Sequence, residues 1–215
     1  MRGYLFVFFR GLFIAWLVDK TPAWARFAGG SSVWYNLAQE QGVFQDRPPK
    51  TKAKEECMPI TIIAVGKQRE TGLRLAADEY LKRLSRYCKI SVVEVSDEKD
   101  PGDQGGRLTA QAMQAEGEKI LGRVHPQDVV VALCVDAQQT DSVLFSGRIK
   151  NWHDTAVPVV FVIGGSMGLG DNVMKRANET MSMSNMTFPH QLARVMLLEQ
   201  IYRAYKIFAG ERYHK

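Results

Sequence analysis

Two apolar runs, Asp128–Val135 and Val157–Ile163, lie either side of one helix-length segment, Asp141–His153. A strand with one face in water alternates apolar and polar residues. A strand without that alternation must be covered on both faces, which means a parallel sheet between two layers of helix. From residue 58 onward the chain keeps this rhythm. Ile60–Gly66 and Ile90–Val95 read as strands. Glu70–Tyr87 reads as a helix, with Leu73, Ala76, Ala77, Tyr80, Leu81 and Leu84 at three-and-four spacing, and Leu108–Leu121 as another. Asp171–Asn178 is a predicted short helix with Asp171 as its cap. Thr180–Ser184 is a short strand, and Pro189–Phe208 is the longest helix, with Pro189 in its first turn and Thr187 or Phe188 near the cap. The predicted fold is α/β, a parallel sheet flanked by helices. Ser96–Gly106 is polar and glycine-rich but too short to divide two domains.

Residues 1–57 do not share this pattern. Tyr4–Val18 is apolar but interrupted by Arg10, and it is shorter than the ~20 residues a membrane span needs. The central charge also argues against a secretory leader. Ala28–Ser32 and Asp46–Glu56 show no period. Met58 directly precedes the first clean strand, and Lys54-Glu55-Glu56 can be encoded AAG GAG GAA, which contains a ribosome-binding sequence upstream of Met58. The expectation is that 58–215 is the domain and that 1–57 is a non-native leader or disordered extension. A membrane or targeting extension and a folded N-terminal element are the alternatives.

Charge and cysteine content narrow the function. The net charge is +5. Residues 1–57 hold eight Lys/Arg against five Asp/Glu, leaving twenty against eighteen in residues 58–215. The domain is nearly balanced, so the basic pI is not by itself a nucleic-acid signature. The basic pole is the C-terminal end, with five basic and two acidic residues from Arg194 onward, plus His214. Cys57, Cys88 and Cys134 are far apart and no His stands at ligand spacing from them. That argues against a zinc site or a disulfide framework and fits thiols in a reducing cytosol.

Parallel sheets bind ligands at the carboxyl ends of their strands. That rule brings Leu133–Ala137, Gly164–Leu169 and Met183–Phe188 to one edge. Gly164-Gly165 either lets a ligand approach the backbone or serves a strand-to-helix turn. The glycine spacing matches neither the dinucleotide fingerprint nor a Walker loop. Met167, Met174, Met181, Met183, Met186 and Met196 either fill core or line an adenine pocket. His190 is a structural or capping residue, or a base. Arg194 follows one turn later on a mostly apolar helix, where an unpaired charge is costly, so it either pairs or acts in a site. Leu197, Ile201, Ala204, Tyr205 and Phe208 form an apolar stripe that is core or a dimer face. The tail Tyr213-His214-Lys215 is a frayed end, or a stacking ring, an imidazole and a cation set for a flipped nucleotide.

From Met58 to Lys215 the chain resembles the RlmH (YbeA-type) 23S rRNA pseudouridine N3-methyltransferase family of the SPOUT superfamily. The matching residues are Ile63–Lys67, Glu79–Arg83, Phe161–Ser166, Met186–His190, Glu199–Ala204 and the terminal Tyr213-His214-Lys215. The resemblance implies a C-terminal trefoil knot, a homodimer, S-adenosyl-L-methionine as cofactor and no metal. It also implies a cytoplasmic enzyme that methylates N3 of a pseudouridine in 23S rRNA on the assembled 70S ribosome. Cofactor contacts would come from Leu133, Gly164, Met183, Ser184, Asn185, Met186, Thr187 and Phe188. Arg194, Tyr213 and His214 would form the nucleotide side, with Arg194 and the tail contributed across the dimer and His214 as proton acceptor. Where the family commonly has Leu-Asp and then a glycine, this chain has Leu133-Cys134 and Ala137. A SPOUT methyltransferase acting on another RNA such as tRNA, and a non-catalytic knotted RNA-binding protein, are the alternatives.

Overall fold

The computed structural model describes residues 4–9, 12–17, 58–102 and 106–211. The chain forms two compact units, Met1–Ala53 and Lys54–Lys215. In the first, β1 (Tyr4–Phe9) and β2 (Leu12–Leu17) pair antiparallel, Tyr4 opposite Leu17 and Phe9 opposite Leu12.

The second unit carries the fold expected from its apolar rhythm. Its elements are β3 (Pro59–Val65), α1 (Thr71–Leu84), β4 (Lys89–Val95), α2 (Gly106–Leu121), β5 (Val129–Leu133), α3 (Ser142–Asp154), β6 (Val159–Ile163), α4 (Asp171–Arg176), β7 (Glu179–Met181) and α5 (His190–Phe208). The five strands form one parallel sheet in the order β4-β3-β6-β5-β7. The implied trefoil knot is consistent with this order: the last strand pairs beside β5, and the last helix returns across β3 and β6.

Pleating splits each central strand between two cores. Ile60, Ile62 and Ala64 of β3, with Val159, Phe161 and Ile163 of β6, face α1, α3 and α5. Ile63, Val65, Val160 and Val162 face the layer of α2 and α4. The missing alternation is thus satisfied on both sides, and each such fully buried aliphatic side chain contributes about 1.5–3 kcal/mol. The stripe Leu197, Ile201, Ala204, Tyr205 and Phe208 packs in the first core, which decides that alternative in favour of core.

Element ends depart from expectation where capping decides. Asp171 is not the cap of α4: Gly170 holds the extended N-cap position and Asp171 opens the first turn, where its charge still favours the helix N-terminus. Pro189, not Thr187 or Phe188, is the N-cap of α5. Asp141 does cap α3, its carboxylate accepting from the N–H groups of Val143 and Leu144, both at 2.8 Å.

Candidate functional site

The sheet order brings the carboxyl ends of β5, β6 and β7 side by side, and the loops that follow them enclose a cavity of about 310 Å³. Leu133 to Asp136 form one wall, Gly164 to Ser166 with Gly168 a second, and Met181 to Ser184 with Met186 to Phe188 a third, with His190 and Ala193 of α5 closing the end.

The glycine loop is a tight turn in its own right. Gly168 has φ +93°, and its N–H donates to the Gly165 carbonyl at 3.3 Å. A Cβ on Gly164 would stand 2.5 Å from the Gly168 carbonyl oxygen. The turn reading therefore explains Gly164 without a ligand, although the same residue lines the cavity. The third wall is held by its own serines. Ser182 Oγ donates to the Ser184 carbonyl at 2.9 Å, and Ser184 Oγ accepts from Met186 N–H at 3.1 Å. Such short side-chain bonds shape backbone locally without regular structure.

Seven of the eight expected cofactor residues line this cavity: Leu133, Gly164, Met183, Ser184, Met186, Thr187 and Phe188. Asn185 does not; it is exposed between Ser184 and Met186. Of the methionines, Met181, Met183 and Met186 line the cavity, while Met196 lines a separate groove of about 580 Å³ beside Tyr80 and Phe145.

Arg194 is not in the cavity wall. It is 2% exposed, and its guanidinium donates to Glu94 Oε1 at 2.6 Å and to the Gly66 carbonyl at 3.0 Å. Burial opposes ionisation of Glu94, but the Gln68 N–H at 2.8 Å and the Arg194 guanidinium outweigh it and hold the carboxyl below its ordinary range. Arg194 thus ties α5 to the ends of β3 and β4. Gln191 adds a second tie, its Oε1 accepting from the N–H groups of Arg69 and Glu70 at 2.9 and 3.2 Å. Tyr213 and His214 lie outside the described residues.

Three features were left open or unnamed by the sequence. His190 packs against Gly66, where a Cβ would lie 3.1 Å from His190 Nε2 and where φ is +78°. Burial, then the Arg194 charge, push the His190 imidazole below its ordinary pKa, so it is neutral at pH 7. Asp136 lines the cavity, and its only signal in the sequence is its place just past a predicted strand end. Glu116 of α2 is 3% exposed behind the glycine loop; its Oε1 accepts from Glu98 N–H at 2.8 Å and its Oε2 is buried without a hydrogen-bond partner. Burial pushes the Glu116 carboxyl above its ordinary range.

Residues 58–214 match the family model described as "Predicted SPOUT methyltransferase". The chain belongs to the SPOUT methyltransferase family. Among curated relatives it is 52% identical over 159 residues to the ribosomal RNA large subunit methyltransferase H of Bifidobacterium animalis subsp. lactis (strain AD011), covering 74% of this chain and 100% of that one. It is 48% identical, with the same coverage, to the protein of the same name in Clostridium botulinum (strain Langeland / NCTC 10281 / Type F). These likenesses place it in the methyltransferase H family. A solved structure with which it aligns is the SpoU methyltransferase AviRb of Streptomyces viridochromogenes in complex with AdoMet, at 13% identity and a TM-score of 0.37, over 77% of this chain and 66% of that one. Among the described residues, no helix is long and apolar enough to cross a membrane.

Proposed function

We propose that residues 58–215 form a homodimeric, cytoplasmic S-adenosylmethionine-dependent methyltransferase that methylates N3 of a pseudouridine in 23S rRNA on the assembled 70S ribosome. The observation that carries the proposal is the convergence of three strand-end loops on one cavity, in a chain whose curated relatives are named for large-subunit rRNA methylation.

The residues fit the cofactor. Leu133, Met183 and Phe188 offer apolar surface for an adenine, while Ser166, Ser184 and Thr187 offer hydroxyls and the glycine turn leaves its backbone uncovered. Leu133, Gly164, Met183, Ser184, Met186, Thr187 and Phe188 would hold it. Asn185 would serve through its backbone, shaping the loop. The cofactor, when bound, supplies a methyl group already activated on a sulfonium, so the reaction needs no Lewis acid.

The chain must then align the N3–H and take its proton. Tyr213 and His214 are the proposed nucleotide-side groups, contributed across the dimer, with His214 as proton acceptor. Arg194 belongs to this machinery as a positioning residue, because both terminal nitrogens of its guanidinium are held, by Glu94 and by the Gly66 carbonyl. Support for the homodimer is the apolar groove where Tyr80 and Phe145 meet Val195 and Met196 of α5, with Val143 and Leu144 exposed just beyond Ser142 of its wall. The near-neutral charge of the domain leaves specificity to the shape of the ribosome rather than to a basic surface. Met58 is the proposed native start, supported by a family match that begins there; the N-terminal mass of the native protein tests it.

The deciding experiment is transfer of labelled methyl from S-adenosylmethionine to ribosomes lacking the modification, with free subunits and tRNA in parallel. Incorporation confined to assembled ribosomes and mapped to a pseudouridine is the expected result. Incorporation into tRNA overturns the substrate while leaving the cofactor in place.

A further inference from the structure

We propose that Asp136 supplies the negative charge that makes this cleft prefer the positively charged methyl donor over its demethylated product. The inference rests on the cofactor assigned above and adds a residue to it.

Among the described residues that line the cavity, Asp136 is the single carboxylate, and neither Lys nor Arg is present. His190 is neutral for the reason given above. Cys134 lies beside Asp136, and burial followed by the Asp136 charge raises its thiol pKa, so the thiol keeps its proton. At neutral pH the wall therefore carries one negative charge, on the turn that follows β5. The Asp136 carboxylate makes no hydrogen bond or ion pair with the described residues, so it is available to a ligand. The position where the family commonly carries Asp holds Cys134 here, and the charge enters the same cavity two residues later.

The ligand chemistry is complementary. S-adenosylmethionine carries an ammonium, a carboxylate and a sulfonium, for a net charge of about +1, with the amino-acid ionisation taken from ordinary pKa values. S-adenosylhomocysteine keeps the ammonium and carboxylate but has lost the methyl and the sulfonium charge. The two differ by one methyl and one positive charge, so a cavity wall with one net negative charge separates them. Opposite charges about 4 Å apart attract by about 1 kcal/mol in water-like surroundings, roughly a fivefold difference in affinity. The water-like value applies because Asp136 is exposed.

The test is calorimetric titration of the full chain with S-adenosylmethionine and with S-adenosylhomocysteine, for the wild type, Asp136→Asn and Asp136→Glu. The expected result for Asp136→Asn is about fivefold weaker donor binding with product binding changed less than about twofold. Asp136→Glu keeps the wild-type preference, and added salt narrows it. Equal weakening of both ligands would overturn the proposal, because the carboxylate would then act on a group they share. Unchanged donor affinity in Asp136→Asn would overturn it as well. A wild-type chain that binds neither ligand sinks the cofactor assignment itself, an outcome distinct from the other two. The exposed position keeps the variant foldable, and its thermal transition verifies that.

Discussion

Replacing Arg194 by Met separates a positioning role from a direct catalytic one. The guanidinium is 2% exposed and makes two bonds, to Glu94 Oε1 and to the Gly66 carbonyl. Met fills most of the volume but donates nothing. Losing a charged donor to a buried carbonyl costs about 1.5–3 kcal/mol. The Glu94 side chain is 36% exposed and keeps the Gln68 N–H, so its loss of Arg194 adds about 0–1 kcal/mol rather than the penalty of a fully buried orphan charge. With some packing recovered by Met, the net is about 2–3 kcal/mol. For a domain of this size that lowers the midpoint by roughly 4–12 °C. Urea unfolding of Arg194→Met, Glu94→Gln and the double variant gives both the loss and the coupling between the two side chains. Glu94→Gln keeps an acceptor but leaves the buried Arg194 guanidinium without its counter-charge, and is expected to cost about 1–3 kcal/mol. An Arg194→Met chain as stable as wild type, binding cofactor normally but transferring no methyl, would refute the reasoning and place Arg194 on the nucleotide.

Gly164→Ala should destabilise by about 1–3 kcal/mol and lose cofactor binding, because the new Cβ meets a backbone carbonyl that cannot swing away; wild-type stability by urea unfolding would contradict this. His190 has a folded pKa depressed by burial and by Arg194, so its contribution to stability is present above the unfolded value near ~6.5 and is lost as pH falls through the folded one. His190→Gln should flatten the decline in midpoint between pH 7 and 5, and an unchanged slope would exclude His190 as its source. Glu116 has a folded pKa raised by burial, so its contribution is present below the unfolded value near ~4.3 and is lost as pH rises through the folded one. Glu116→Gln should therefore raise the midpoint more at pH 7 than at pH 4, a difference read directly from thermal scans at the two pH values.

Much of the fold was legible because burial leaves a period in the sequence. The runs at 129–133 and 159–163 have no polar alternation, and the sheet covers them on both faces. That the three loops come to one edge was legible because glycines and small polar residues follow those runs directly, and they line one cavity. Asp171 was misassigned because Asp suits both an N-cap and a first helical turn, and the backbone angles of Gly170 decide between them. The apolar stripe of α5 could not be divided between core and interface from the sequence, since both need the same spacing.

The sequence by itself determined the elements, their parallel arrangement and the family, because these depend on local periodicity and on short motifs read along the chain. Tertiary structure alone decided the partners. Arg194 and Glu94 are 100 residues apart and meet because β4 and α5 are brought to the same end of β3. Asp136 becomes the charge of the cavity because β5 lies between β6 and β7. No local signal encodes such meetings: they follow from strand order, which is set by the sum of burial over the whole sheet.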